Sequence, residues 1–596
     1  MAVFDRVQAA LGRSKGNQDD TNEPAVAVSG GTPNDKEHEA GLHPDDASTE
    51  AAPVKDAQHG VQTVEAVTLA WSKASLVAAF IIMWFIYLTN GFQSKITDSL
   101  TPYAMSDWET HSLIPVIGVV AQSMMAAVYI PLSKILDLWG RAEGFLLMVI
   151  FATIGMAMMA ASENLATYCA ATVFWQVGWS GLIYSIDVMT ADATQLKNRG
   201  LAYAFTSSPY MITAFAAPNA AQGFLDHVNW RWGFGCFSLV LPCIAVPMYL
   251  LIKWNLHKAK KQGIVERQSS GRTFLQNIWW GLIQFDALGV LLFATGLVVF
   301  LLPFSIASMA PNGWQSGYII AMIIVGFIVL VLFGLNEAYL APQPFFKAEF
   351  LTDRTVIGVC LLDFIYQIAY YCWASYFNSF LQVVNNLPVN EAGYVSNTFD
   401  IVSGVLLFIV GYLMRRTGRF KWLLIVGIPL YIFAQGLMIY FRRPGQSIGY
   451  LVMCEVFISI AGATFILCMQ VGILAAVDHQ HVATALAMLS VTGNIGGAVG
   501  GTISGTIWTN TFYKKLLDLL PESALPEADN IANVLEYQLM YETGTPEREA
   551  IQAAYGYGQA RMLAAGTSIM VIAIASLFLI KNFDLRKIHQ TKGTVF

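Results

Sequence analysis

Two stretches decide the architecture: Ser133-Lys-Ile-Leu-Asp137-Leu-Trp-Gly140-Arg141 and Gly411-Tyr-Leu-Met-Arg415-Arg-Thr-Gly418-Arg419. Both read small-x-x-x-charged-x-x-Gly-Arg. Glycine permits a tight turn at a helix end, and the charges can pair across neighbouring helix termini. One copy carries little information. Two copies, each directly after an apolar run, mark equivalent turns of an internally repeated chain.

The composition around them excludes a soluble protein. Of 596 residues, 55 % are hydrophobic and 12 % charged, against about 25 % charged in soluble domains. There are too few charges to cover the surfaces of several soluble domains. The net charge of −6 also argues against a nucleic-acid binder. Residues 1–70 hold 12 acids and 5 bases, and the remaining chain holds 28 acids and 29 bases. The acidity therefore belongs to a polar tail, 1–70, whose composition predicts disorder. No signal-peptide pattern opens the chain.

From Trp71 onward, apolar runs long enough to cross a bilayer recur. They fall at 74–94, 112–133, 144–162, 166–189, 200–222, 233–254, 282–304, 318–336, 355–378, 392–413, 422–440, 448–470, 482–508 and 561–580. Fourteen spans predict an all-α membrane protein. With the N-terminus in the cytoplasm, the inner segments hold 26 of the 34 Lys and Arg. That agrees with the positive-inside rule and puts both termini inside. Lys95, Arg231, Arg442, Arg443, Lys514, Lys515, Arg548 and Arg561 fall outside on this reading. All seven cysteines lie in predicted helices without metal-like spacing, and read as apolar packing residues.

The two stretches resemble the signature of the major facilitator superfamily. They lie eight spans apart, where a twelve-helix member would place them six apart, so two additional helices separate the halves. The resemblance implies two six-helix bundles, 71–254 and 355–580, around a linker at 255–354 that carries those two helices. An outer loop at 509–560 and a cytoplasmic C-tail at 581–596 complete the chain. Ser133 replaces the usual Gly and Arg415 the usual acid. Asp137, Gly140, Arg141, Asp192, Arg199, Gly411, Gly418 and Arg419 are the gating or structural candidates.

In this superfamily the first and fourth helices of each half face a central cavity. Here the ninth span carries Asp363, Tyr366, Tyr370, Trp373 and Phe377 at steps of three and four, on one helical face. The fourth carries Gln176, Ser180, Tyr184 and Asp187, and the first Tyr87 and Asn90. Packing is the alternative for an aromatic stripe at this spacing. Asp363, Asp400 and Glu455 lie well inside their spans, with no Lys or Arg at comparable depth on this map. Desolvation there favours the protonated form, so these three are the candidate proton carriers.

The segment Ala191-Asp192-Ala-Thr-Gln-Leu-Lys-Asn-Arg199-Gly200-Leu201 is more specific. With Ser208-Pro209-Tyr210, Asn229-Trp230-Arg231-Trp232-Gly233-Phe234-Gly235 and Phe285-Asp286-Ala287-Leu288-Gly289, it resembles the fungal siderophore-iron transporters, closest to MirB-like members. The match spans the chain after residue 70. It implies proton-coupled import of a ferric hydroxamate siderophore, such as triacetylfusarinine C or ferrichrome, across the plasma membrane by a monomer. An endosomal pool is compatible with this. No resident cofactor is implied, because the iron arrives chelated. A neutral chelate suits aromatic walls and scattered hydrogen-bonding groups. Tyr555, in Ala554-Tyr555-Gly556-Tyr557-Gly558-Gln559, takes a substrate-capture role from a similar family element; an interfacial anchor is the alternative.

The rivals are a fourteen-helix drug/proton antiporter and a glutathione exchanger. The antiporter signature needs Gly-Pro followed by Gly-Gly, and Thr213-Ala-Phe-Ala-Ala217-Pro218-Asn-Ala-Ala221 keeps only the proline. A nutrient sensor would be expected to carry a more complex tail. An enzyme would need a Cys–His or Ser–His pair at membrane depth.

Overall fold

The computed structural model describes residues 71–262, 274–307, 310–342, 352–478 and 481–588. The acidic tail, most of the connection into the seventh span and the final residues lie outside the described residues. Every regular element described is helical, as expected of backbone that must satisfy its own polar groups in lipid.

The first half comprises α1 (Lys73–Ser106), α2 (Ile114–Leu138), α3 (Arg141–Ala160), α4 (Leu165–Asp192), α5 (Leu196–Ser207), α6 (Pro209–His227) and α7 (Trp230–Lys261). A short helix, α8 (Phe274–Gln284), leads into the pair α9 (Ala287–Ile306) and α10 (Gly317–Leu335). The second half comprises α11 (Arg354–Ala374), α12 (Phe377–Val383), α13 (Val389–Ser396), α14 (Thr398–Thr417), α15 (Lys421–Phe441), α16 (Ile448–Ala475) and α17 (Val482–Leu519). After α17 come α18 (Ala528–Asn533), α19 (Leu535–Met540), α20 (Pro546–Val571) and α21 (Ala573–Leu579).

Helices occupy all fourteen expected positions, and 12 of the described helices are long and apolar enough to cross a membrane. The fourth and fifth positions fall short of that for identifiable reasons. α4 carries Gln176, Ser180, Ser185, Asp187, Thr190 and Asp192. The fifth position, divided at Ser208–Pro209 into α5 and α6, carries Asn198, Arg199, Asn219, Gln222 and Asp226, which lower its hydropathy.

Three predicted boundaries move furthest. α1 runs on from residue 94 to Ser106, and α17 from 508 to Leu519; α20 begins at Pro546, not 561. In α1 the polar run that ends the hydropathy signal turns inward: Gln93, Thr97 and Ser99 are buried. The outer loop contracts from 509–560 to the stretch between Leu519 and Pro546, itself partly helical. The expected helix start is present: the Thr545 hydroxyl accepts from the Arg548 amide at 3.3 Å.

Two seams join the halves. Along one, α2 packs on α17; along the other, α5 and α6 pack on α13 and α14. The additional pair sits beside the first seam, with α9 against α2 and α17 and α10 against α9. Thr506 of α17 donates to the Phe304 carbonyl of α9 at 2.8 Å. Seam contact requires small residues. α17 presents Gly493, Gly496, Gly497, Gly500, Gly501 and Gly505 to α11, α2 and α9, and a Cβ on Gly500 would lie 2.9 Å from the Ile368 Cα. At the second seam, a Cβ on Gly411 would meet the Gly200 carbonyl carbon at 3.1 Å.

The C-terminal segment closes back on α11. Lys581 donates to Asp353 at 2.9 Å, and Asp353 caps the Thr355 and Val356 amides. Burial opposes the charged form, but these donors hold the Asp353 carboxyl below its ordinary range.

A valine at Gly496 would collide with the Phe364 carbonyl. We expect Gly496→Val to cost about 1–3 kcal/mol through overpacking, read as a lower melting temperature in detergent. Unchanged melting would refute the close α11–α17 approach.

Candidate functional site

Both motif turns form as the spacing predicts. Gly140 has φ 126° and Gly418 φ 68°, the left-handed side that glycine tolerates. In the first copy, the buried Arg141 donates to Asp137 at 2.7 Å and to Asp192 at 3.0 Å, tying the ends of α2, α3 and α4. Arg199, fully buried, donates to the Ala191 and Thr194 carbonyls at 3.0 and 3.2 Å and so caps α4. The second copy is dissimilar in chemistry: Arg415, Arg416 and Arg419 are exposed.

A cavity of about 240 Å³ lies in the first half, where α1, α2, α4 and α6 meet α17. Asn90, Gln176 and Tyr184, all singled out from sequence, line it. Tyr87 stands behind it and donates to Asp187 Oδ1 at 2.6 Å. Tyr210 donates to Asn90 Oδ1 at 2.7 Å. Tyr129, Trp175 and Trp179 supply aromatic wall, and Ser490 closes it from the second half.

The ninth-span stripe divides. Asp363, Tyr366, Tyr370 and Trp373 share α11, but the chain breaks before Phe377, with Tyr376 at φ 59°. Tyr366 packs edge-on to Tyr431 and Phe465 at 5.6 and 5.3 Å, inside the second bundle. Trp373 and Phe377 are buried, and none of the four aromatics lines the first-half cavity. Tyr370 alone keeps partial exposure, among the charges of Lys95, Asp400, Asp98 and Glu455.

The three acids have different surroundings. Asp363 packs against Gly493, in the groove between α11 and α17. Asp400 forms an ion pair with Lys95 of α1, across the two halves. That corrects the expectation of no cation at this depth: Lys95 is not in an outer loop but within the prolonged α1. Glu455 has no exposed surface. Neither of its oxygens completes a hydrogen bond, although Arg442, Thr398, Asp400 and Lys95 surround it. Arg442 lies in the turn after α15, as expected, but is not exposed there. It is fully buried, donates to the Trp373 carbonyl and lies 4.2 Å from the Phe377 ring centre.

Tyr555 is not displayed at the mouth. It is fully buried against Trp508 and Phe512, at 4.9 and 5.0 Å, and its hydroxyl donates to Gln538 Oε1 at 2.7 Å. That bond ties α20 to the α18–α19 segment. The aromatic neighbours come from α17, so local sequence could not announce this burial.

Hydrogen bonds bridge the halves at both ends of their interface. At the motif end, the Tyr184 hydroxyl donates to the Ala483 carbonyl at 2.6 Å. At the far end, Tyr376 donates to the Ser112 carbonyl at 2.6 Å, and Tyr103 to Gln382 at 2.8 Å. His111 Nε2 lies 3.0 Å from Ser379 Oγ. Among the described residues no group of three or more His, Cys, Asp or Glu could hold a metal ion.

The comparisons agree with this geometry. The Major Facilitator Superfamily model matches residues 83–346 and 359–513. The siderophore iron transporter mirB of Emericella nidulans is 57 % identical over 559 residues, 94 % of this chain and 92 % of that protein. The chain belongs to the siderophore-iron transporters of the major facilitator superfamily. MFS siderochrome iron transporter 1 of Gibberella zeae is 54 % identical, over 96 % of this chain and 94 % of that one. Among solved structures, the peptide transporter POT in complex with alafosfalin aligns with a TM-score of 0.53 at 14 % identity, over 84 % of this chain and 95 % of that one. That is a likeness of fold. The protein is thus a multi-pass membrane transporter of a class that is not enzymatic.

The Lys95–Asp400 pair yields a direct test. Asp400→Asn alone strands the Lys95 charge, at a cost of about 3–5 kcal/mol for a buried pair and less here, where each side chain is about one-fifth exposed. The double variant Asp400→Asn/Lys95→Met should melt higher in detergent than Asp400→Asn. Additive losses would show that the two side chains do not interact.

Proposed function

We propose that this protein imports an intact ferric hydroxamate siderophore together with protons across the fungal plasma membrane. The observation that carries the reading is the cavity wall of phenols, indoles, amides and hydroxyls, in a chain 57 % identical to a named siderophore iron transporter. A trihydroxamate chelate is neutral at its metal core, because three anionic hydroxamates balance ferric charge. Such a ligand is recognised by aromatic contact and scattered hydrogen bonds rather than by a charge clamp.

At about 240 Å³, the cavity is smaller than the ~300–1,000 Å³ typical of drug-sized ligand sites. Loading therefore requires the halves to part at one end while the other stays shut. All fourteen helical positions cross the membrane in this reading, the fourth and fifth with their polar faces inward. The contacts Tyr376–Ser112 and Tyr103–Gln382 serve as the outer closure, and Tyr184–Ala483 as the inner one. Rocking of the two bundles breaks these sets alternately.

Proton coupling resides in the buried carboxylates. Asp400 is suited to it because a proton there weakens an ion pair between the halves. Glu455 is suited because its carboxylate is buried without a completed hydrogen bond. Asp363 would act between α11 and α17.

Uptake of radiolabelled iron in a siderophore-transport-deficient yeast tests the reading. We expect accumulation of at least one ferric hydroxamate, abolished when the proton gradient is collapsed. Surface expression without uptake of any ferric hydroxamate would sink it. Tyr370 does not line this cavity but keeps partial exposure on α11; if the substrate path extends to it, Tyr370→Ala should raise the concentration for half-maximal uptake more than it lowers surface expression. The reverse pattern would make Tyr370 a packing residue.

A further inference from the structure

The acid with the most direct access to the cavity is not among the three just discussed. Asp187 lines the cavity from α4. It takes part in no ion pair among the described residues, and its nearest polar partner is the Tyr87 hydroxyl at 2.6 Å from Oδ1. The titratable groups that face it are phenols from four elements: Tyr87 of α1, Tyr129 of α2, Tyr203 of α5 and Tyr210 of α6. The Tyr203 hydroxyl donates to the Asp187 backbone carbonyl at 3.2 Å, which fixes that turn of α4. The Tyr87 and Tyr210 rings meet edge to face at 5.6 Å, so the phenol that holds Asp187 is itself held.

A carboxylate enclosed by phenols and indoles, with no cation beside it, is an expensive place for a charge. The cost rises when the cavity closes around an apolar, neutral cargo and water leaves. A proton on the free oxygen removes the charge without breaking the bond to Tyr87. The other candidate acids lack this combination: Asp400 is paired, Asp363 packs against a glycine backbone, and Glu455 lies in the second bundle, away from this wall.

We propose that Asp187 is a proton-binding residue at the substrate cavity. It would be loaded from the side to which the cavity opens and neutral during closure, and its proton would be released to the opposite side with the cargo. The step moves one proton from water to a carboxylate oxygen and back to water, with no other bond made or broken. This rests on the importer reading above and assigns it a site.

The experiment uses the full-length protein in yeast or in proteoliposomes, with radiolabelled ferric hydroxamate as probe. Two quantities are measured: accumulation driven by an imposed proton gradient, and counterflow of labelled against unlabelled substrate without a gradient. Asp187→Asn should keep measurable counterflow and lose accumulation above equilibrium. Asp187→Glu should restore gradient-driven accumulation. Tyr87→Phe, which leaves the carboxyl in place, should displace the pH profile of accumulation, and this decides the matter if Asp187→Asn fails to reach the membrane. Gradient-driven accumulation by Asp187→Asn equal to wild type, or a Tyr87→Phe profile identical to wild type, would overturn the assignment and leave the importer reading standing. A wild-type protein that performs neither accumulation nor counterflow would remove both.

Discussion

The close approach of α17 to α2, α11 and α9 organises the rest of the molecule. Helices in a bilayer gain little from hydrophobic burial against one another, since lipid is as apolar as leucine. They associate where backbone can touch backbone. Six glycines between Gly493 and Gly505 strip α17 of side chains on that side. One helix can then serve the second bundle through α11, the first bundle through α2, and the additional pair through α9. Gly411 against Gly200 does the same at the second seam. A joint made of glycine faces is close but carries few interlocking side chains.

Charge follows a complementary constraint. Inside a membrane an ionised side chain needs a partner, and the arrangement of partners sorts structural from functional groups. Asp137, Arg141 and Asp192 satisfy one another within the first half and hold three helix ends together. Lys95 and Asp400 satisfy one another only while the halves are together. Asp187 and Glu455 are in no ion pair among the described residues. These three degrees of pairing run from a joint within one half, to a contact between the halves, to acids outside any ion pair among the described residues.

The turn motifs were legible because they are local. A left-handed glycine at position 140 or 418 depends on the residues around it, and so does the Thr545 cap. The polar face of α4 was also legible, since its spacing places Gln176, Ser180, Tyr184 and Asp187 together whatever the neighbours are. Lys95 was misplaced because hydropathy marks where a helix meets lipid, not where it ends. The buried polar run after Asn90 looks like a loop to that signal, although no Gly or Pro breaks the chain between Phe92 and Thr101. The aromatic stripe of α11 shows the converse limit: equal spacing did not separate Tyr366, which packs, from Tyr370, which retains exposure.

Composition and apolar length alone determined that this chain is a helical membrane protein, because a bilayer admits few backbone solutions. The duplicated turn alone pointed to an internally repeated chain, and both turns form with glycine at positive φ. Which acid lacks a cation, which tyrosine is buried, and which contacts bind one half to the other were decided only by tertiary structure. Those properties belong to pairs such as Lys95 with Asp400, or Tyr87 with Asp187. They arise from residues far apart in the chain, and no local pattern specifies the distance between them.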